Sequence, residues 1–242
     1  MSQLPNIIIM RKTTNITELK NLALSFLYLE PTYDEILSFI VIHPFFENAI
    51  SFDAEGNMID IHKPEDMEKF RDMFKYRIEK SNDLFQLLTI IRKPYRFTFL
   101  KFAKPYLSKQ DFDKALAETW ISSENPNQDA NVPISQFIRW FNAANKNTIM
   151  TKEDHAYYDS LPDTVDIYRG VAVGRADKDG LSWTHNPDTA KWFAHRFDTD
   201  SQQGYVLHAQ ISKSDIFAYF NTRNEDELVC NSKKISIVNR IT

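Results

Sequence analysis

Cysteine is nearly absent: Cys230 is the only one in 242 residues. No intrachain disulfide framework and no cysteine-built zinc site can form, a usage that suits a reducing compartment. Long hydrophobic runs are missing too. The longest strongly apolar stretch, residues 36–46, is broken by Ser38, His43 and Pro44, whereas a helix that crosses a bilayer needs about 20 apolar residues. The short apolar run at residues 7–10 precedes Arg11 and Lys12, the reverse of the charge order in a secretory signal. The expectation is a soluble, cytoplasmic chain without membrane contact. Charge of one sign is not in excess either. A formal net charge of −4 excludes a polycation that holds nucleic acid by net charge alone.

Glycine is scarce and unevenly placed. Gly56 stands alone in the first two thirds, whereas Gly170, Gly174, Gly180 and Gly204 fall in one later stretch. Glycine-poor sequence suits helices, and clustered glycine marks turns between strands or a backbone close to a ligand. A boundary therefore falls between residues 145 and 165. The expected fold is α+β, with a helical domain of unassigned role at residues 1–149 and a strand-rich domain at residues 150–242. No internal repeat or low-complexity tract interrupts either part.

Hydrophobic residues make up 43% of the chain and aromatics 13%, enough for bulky cores. Ile16, Leu19, Leu22, Leu24, Phe26 and Leu27 predict a helix capped by Thr14 or Asn15. Met67, Phe70, Met73, Phe74 and Ile78 repeat at helical steps, as do Phe112, Leu116 and Trp120 behind a cap at Ser108 with Asp111 three residues on. Ile134, Phe137, Ile138 and Phe141 give a further face. The period then changes. Val165 and Ile167 lead to Tyr168-Arg169-Gly170, a short strand ending at a turn. Tyr205, Leu207, Ala209 and Ile211 alternate with Val206, His208 and Gln210, and residues 234–238 read as another strand. Between these, Asn186 is an N-cap, Pro187 suits the first helical position, and Ala190, Phe193, Ala194 and Phe197 form the buried face. Trp192, Phe193 and Phe197 are expected in the core of that helix.

Three polar signals stand in the strand-rich part: Arg169 beside Gly170, Ser182-Trp183-Thr184 with two hydroxyls on one face, and Glu225-Asp226-Glu227 running into Leu228-Val229-Cys230 with two carboxylates on one side. In this order they resemble the Arg–Ser–Glu class of mono-ADP-ribosyltransferases, which includes bacterial toxins, phage-encoded enzymes and vertebrate ecto-enzymes. The run Ala190-Lys191-Trp192-Phe193-Ala194 is similar to the short helix that follows in that family. The resemblance covers roughly residues 160–242 and implies a split β-sheet transferase core.

The chemistry it implies fits these residue types. NAD⁺, the expected co-substrate, carries a pyrophosphate that a permanently charged guanidinium grips with paired hydrogen bonds. Arg169 is the candidate, with Gly170, Ser182 and Thr184 completing the cofactor-binding set. Loss of nicotinamide leaves an oxocarbenium-like ribose, the kind of cation that glycosidases stabilise with carboxylates. By the family pattern Glu227 is that carboxylate, and Glu225 removes a proton from the acceptor. Tyr219, Phe220 and Arg223 are assigned to an acceptor-facing loop over residues 219–224. The histidines lack metal-ligand spacing and no Gly-rich nucleotide fingerprint occurs, so no metal is expected. Cys230 reads as a small buried hydrophobe.

Within the resemblance, a glutamate at position 225 favours protein arginine as acceptor over an RNA base. A competing sign lies between Asp83 and Asp111, where Arg92, Lys93, Arg96, Lys101, Lys104 and Lys109 are interleaved with Tyr95, Phe97, Phe99, Phe102 and Tyr106. Such a stretch suits single-stranded nucleic acid or an acidic partner, or else an amphipathic segment with its rings in the core. The layout implies an intracellular toxin of a toxin–antitoxin or phage-defence kind, with an antitoxin or immunity protein as partner. The rival readings are an NAD glycohydrolase and an inactive partner-binding module.

Overall fold

Residues 13–53, 55–124, 126, 129–174 and 180–241 are described by a computed structural model. Its first helix, α1 (Ile16–Leu27), starts where the Asn15 side chain accepts a hydrogen bond from the Glu18 amide at 3.2 Å, and it buries Leu19, Ala23 and Leu27. The chain divides into two compact units, Met1–Ala115 and Leu116–Thr242.

The first unit is not purely helical. Two antiparallel ribbons follow α1: β1 (Thr32–Tyr33) with β2 (Val41–Ile42), and β3 (Ile50–Phe52) with β4 (Met58–Asp60). The β3–β4 turn is closed by Asp53, whose carboxylate accepts from the Asn57 amide at 2.7 Å, and by Gly56 at φ +84°, a left-handed conformation that glycine takes without steric cost. Helices α2 (Pro64–Lys80), α3 (Leu84–Ile90) and α4 (Arg96–Ala103) complete the unit, with Phe70, Phe74, Ile78, Leu87, Phe97, Phe99 and Leu100 buried. Helix α5 (Lys109–Ser122) begins at the expected cap, Ser108, whose Oγ donates to Asp111 Oδ2 at 2.9 Å and accepts from the Asp111 amide at 3.1 Å. The Ser108 amide donates to Thr14 Oγ1 at 3.0 Å and not to Asp111, so the reciprocal capping box is not closed.

The division falls inside α5, well ahead of position 149/150. Packing explains the difference. Trp120 at the end of α5 meets Phe137 and Phe141 of α6 (Ile134–Ala143) edge-on, with centroids 5.7 and 5.0 Å apart. Phe141 in turn stacks on Phe217 of β8 (Ile216–Phe220). Helices α6, α7 (Lys146–Ile149) and α8 (Lys152–Ser160) therefore belong with the strands rather than with the first unit.

The second unit holds one six-stranded antiparallel sheet, ordered β10-β7-β5-β6-β9-β8. Its remaining strands are β5 (Thr164–Val171), β6 (Ser182–Thr184), β7 (Tyr205–Ser212), β9 (Glu227–Cys230) and β10 (Ser236–Ile241). Strands β5 and β7 pair along their whole length, from Thr164↔Ser212 to Val171↔Tyr205. By contrast β5 and β6 meet at one pair, Tyr168↔Thr184. The sheet is therefore pinched between β10-β7-β5 on one side and β6-β9-β8 on the other. The last strand starts at Ser236 because residues 232–234 form a 3₁₀ turn, and all six of its residues are exposed.

Helix α9 (Pro187–His195) lies on β5 and β7 with Ala190 and Ala194 buried against Val206 and Tyr168. Asn186 caps it, accepting from the Asp188 and Thr189 amides at 2.9 and 3.4 Å. Two glycines permit the close approach. A Cβ on Gly170 would stand 2.2 Å from the Ala190 carbonyl oxygen, and one on Gly204 1.9 Å from that of Ala194. Contrary to the expected core placement, Trp192 is 62% and Phe197 56% exposed. Phe197 lies beyond the C-cap Arg196, where helical periodicity no longer applies, and the Arg196 guanidinium lies over the Trp192, Phe193 and Phe197 rings. No helix among the described residues is long and apolar enough to cross a membrane.

Candidate active site

Glu227 opens β9 directly opposite Thr184 of β6 and Phe220 of β8. This central position leaves it 5% exposed. A carboxylate that deep needs donors; two elements supply them, and a cation stands beyond hydrogen-bond reach. Trp120 Nε1 of α5 donates to Glu227 Oε1 at 2.9 Å, the Ser182 hydroxyl of β6 hydrogen-bonds to the carboxylate, and Arg223 Nη2 lies 3.9 Å from Oε2. Burial pushes the Glu227 pKa up and the neighbouring Glu225 charge adds to this, while the Ser182 and Trp120 hydrogen bonds and the Arg223 charge pull against it. Cys230, at the far end of β9, is fully buried and its thiol is pushed up by burial.

The turn before β9, residues 221–226, carries the second carboxylate. Arg223 Nη2 bonds Glu225 Oε2 at 2.8 Å, so one guanidinium faces both glutamates. Its Nη1 donates to the Ser123 carbonyl at 3.3 Å. Asn224 and Asp226 take positive φ values of 55° and 47°, and Asn and Asp are the non-glycine types that tolerate that region best. Asp226 anchors the turn: its Oδ1 accepts from the Tyr219 hydroxyl at 2.7 Å and its amide donates to Asn221 Oδ1 at 3.2 Å. Burial, then the Asp226 contact, pushes the Tyr219 hydroxyl pKa up.

Arg169 is half-buried on β5 across the pinch. Its Nη1 donates to the Ser182 carbonyl oxygen, and its guanidinium occupies the space beside Gly180. A Cβ there would stand 2.2 Å from Arg169 Cζ, so any larger residue displaces the head group. The structure thus brings Arg169, Ser182, Glu225 and Glu227 together on β5, β6 and the lip of β9. Thr184 and Gly170 stand differently. The Thr184 hydroxyl donates to the Glu225 carbonyl at 2.8 Å and accepts from the Asn186 amide at 3.0 Å, so it ties the turn to the cap of α9. Gly170 serves the packing of α9.

Tyr219 and Phe220 do not lie in a loop. Both belong to β8, whose five residues are all buried, because an unbroken apolar run suits a strand covered on both faces. Of the three residues assigned to the acceptor, only Arg223 is in the turn. Beside Tyr219 opens a cleft of about 390 Å³ lined by Thr151, Glu153, Asp154, Tyr157, Tyr219, Asn221 and Thr222. Tyr157 stacks on Tyr219 there with centroids 4.2 Å apart, and Asp154 Oδ1 accepts from the Asn221 amide at 3.3 Å.

Sequence reasoning missed Trp120 and Gly180. Trp120 carries helical spacing and reads as core, which it also is; its hydrogen bond spans 107 residues of sequence and leaves no local trace. The clustering of glycines was the one signal for Gly180. No protein-family model matches the chain, and no curated protein or solved structure matches it.

Proposed function

We propose that the second unit is an NAD⁺-dependent mono-ADP-ribosyltransferase that acts on an intracellular macromolecule, protein arginine in preference to an RNA base. The observation that carries this reading is the placement of Glu227. It is a buried carboxylate held by Ser182 and Trp120, with Glu225 joined to it through one guanidinium and Arg169 of β5 bonded to the Ser182 carbonyl.

In this reading Arg169 engages the pyrophosphate. The bond between the nicotinamide nitrogen and ribose C1′ breaks, and its electron pair leaves with nicotinamide. Glu227 stabilises the cation that develops on the ribose, and its low-dielectric surroundings strengthen that interaction. Glu225 accepts the proton that the acceptor nitrogen loses as its new bond to C1′ forms.

The first unit weighs on the acceptor. Phe97 and Phe99 are buried in its core. Arg92 Nη1 donates to the carbonyls of Val41, His43 and Phe46 at 3.1, 3.1 and 2.7 Å, and Arg96 Nε donates to that of Ile91 at 3.0 Å. Four of the eleven residues named in the basic–aromatic stretch are therefore committed to folding, which supports the protein over the RNA acceptor.

The test is incubation with a cell lysate and NAD⁺ labelled in its adenylate half, followed by protease or RNase. Label removed by protease alone is expected. Label removed by RNase alone would move the acceptor to RNA. Free ADP-ribose as the sole product would make the chain a glycohydrolase.

A further inference from the structure

The cleft beside Tyr219 plays no part in the chemistry assigned to Glu227 and Glu225. Asp154 lines it and is only 7% exposed. Its Oδ1 accepts from the Asn221 amide at 3.3 Å, whereas Oδ2 has no hydrogen-bond partner among the described residues. Glu153, also in the lining, is exposed and forms no ion pair among the described residues. It stands four residues before Tyr157 on α8, so carboxylate and ring share one face of the helix. The stacked Tyr157 and Tyr219 rings complete an aromatic wall. No lysine or arginine lines the cleft among the described residues. Two carboxylates without a counter-ion, beside aromatic rings, suit a cation. The volume of about 390 Å³ falls within the range of ligand pockets, roughly 300–1,000 Å³, and admits the long stem of a basic side chain.

We infer that this cleft is a specificity pocket for a second basic side chain, a lysine or arginine within three residues of the modified arginine in a protein substrate. The cation site stands on the cleft alone; its place beside the acceptor rests on the transferase reading. Glu225, which takes the acceptor's proton in that reading, is not in the lining of the cleft, so the reacting nitrogen is not held there. A neighbour is held instead. Asn221 and Thr222 line the cleft and open the same turn that carries Glu225, so one short segment serves both places. Successive residues of an extended peptide advance by about 3.3 Å, which lets one basic side chain enter the cleft while another meets Glu225. Its charged head pairs with Asp154 Oδ2 and Glu153, and its stem lies along the Tyr157 ring. This contact is the same before and during bond cleavage, so it lowers KM and leaves kcat unchanged.

The experiment uses the purified full chain and short fluorescein-labelled peptides with one arginine and, at each of the three nearest positions in turn, either lysine or norleucine. Without NAD⁺, fluorescence anisotropy should show a lysine peptide binding about tenfold more tightly than its norleucine counterpart, equivalent to ~1.4 kcal/mol. Glu153→Gln should remove most of that preference. So should Asp154→Asn, which retains an oxygen for the Asn221 amide; thermal unfolding confirms that both variants are folded. With NAD⁺, the same lysine should lower KM for the peptide in wild type at unchanged kcat. Equal binding of lysine and norleucine peptides, or a preference that both variants keep, overturns the inference, and label on the peptides would then leave the transferase reading standing. A preference that both variants lose, with no NAD⁺ consumed, overturns the transferase reading while the cation site stands.

Discussion

Replacing Trp120 with Phe removes one hydrogen-bond donor from Glu227 while keeping an aromatic ring in the pocket formed with Phe137 and Phe141. Two separable costs follow. The smaller ring leaves a void, which costs about 1–2 kcal/mol at any pH. The lost N–H costs about 1.5–3 kcal/mol where Glu227 is ionised, the range for hydrogen bonds to a charged group, and about 0.5–1.5 kcal/mol where it is protonated and its carbonyl oxygen still accepts. The sign follows from linkage. An indole N–H favours the carboxylate form, so its removal raises a pKa that burial already holds above the usual carboxyl range. Each pH unit of that rise corresponds to ~1.36 kcal/mol. Below the ordinary carboxyl pKa the group is protonated in both folded and unfolded chains, and the packing cost remains with only the smaller, neutral hydrogen-bond cost. Above the raised pKa both costs appear. Urea unfolding of wild type and Trp120→Phe at an acidic and a neutral pH measures the difference, and the acid limb of NAD⁺ consumption should move up by the same interval. Equal destabilisation at both pH values would refute the account of Trp120 as a donor to an ionised Glu227.

Other consequences are simpler. Gly170→Ala drives a Cβ to 2.2 Å from a helix carbonyl, so thermal unfolding should show a loss of about 1–3 kcal/mol as α9 is pushed off the sheet. Glu227→Gln should raise the melting temperature at neutral pH, because a carboxyl whose folded pKa is elevated contributes stability that fades as pH rises through that value; the gain should vanish at low pH. Asn186→Ala removes the acceptor for two amides at the start of α9 and should cost about 1 kcal/mol in denaturant unfolding.

Local signals in the sequence were reliable where one residue or one period decides the outcome. Asn186 with Pro187, Ser108 with Asp111, and the alternation along β7 each describe interactions within a few residues, and each stands in the structure. Failures came where distant packing decides. The ribbons β1–β4 are two or three residues long, too short for any period to emerge. Periodicity in α9 gave no sign of where the helix stops, so Phe197 was placed on a buried face that ends at His195. The unit boundary was sought in glycine usage, but an all-helical stretch, α6 to α8, packs with the strands through Phe141 and Tyr158. At the site, the order of arginine, serine and glutamates could be read directly. The bridging place of Arg223 and the Trp120 contact depend on the turn's geometry and on a helix distant in sequence, and neither leaves a mark on local pattern.

The central claim is that Glu227 drives cleavage of NAD⁺. Release of nicotinamide, followed by chromatography during incubation of the purified chain with NAD⁺, tests it most directly. Wild type should release nicotinamide, and Glu227→Gln, equally well folded, should not. Release by the variant at the wild-type rate, or none by wild type, would contradict the claim.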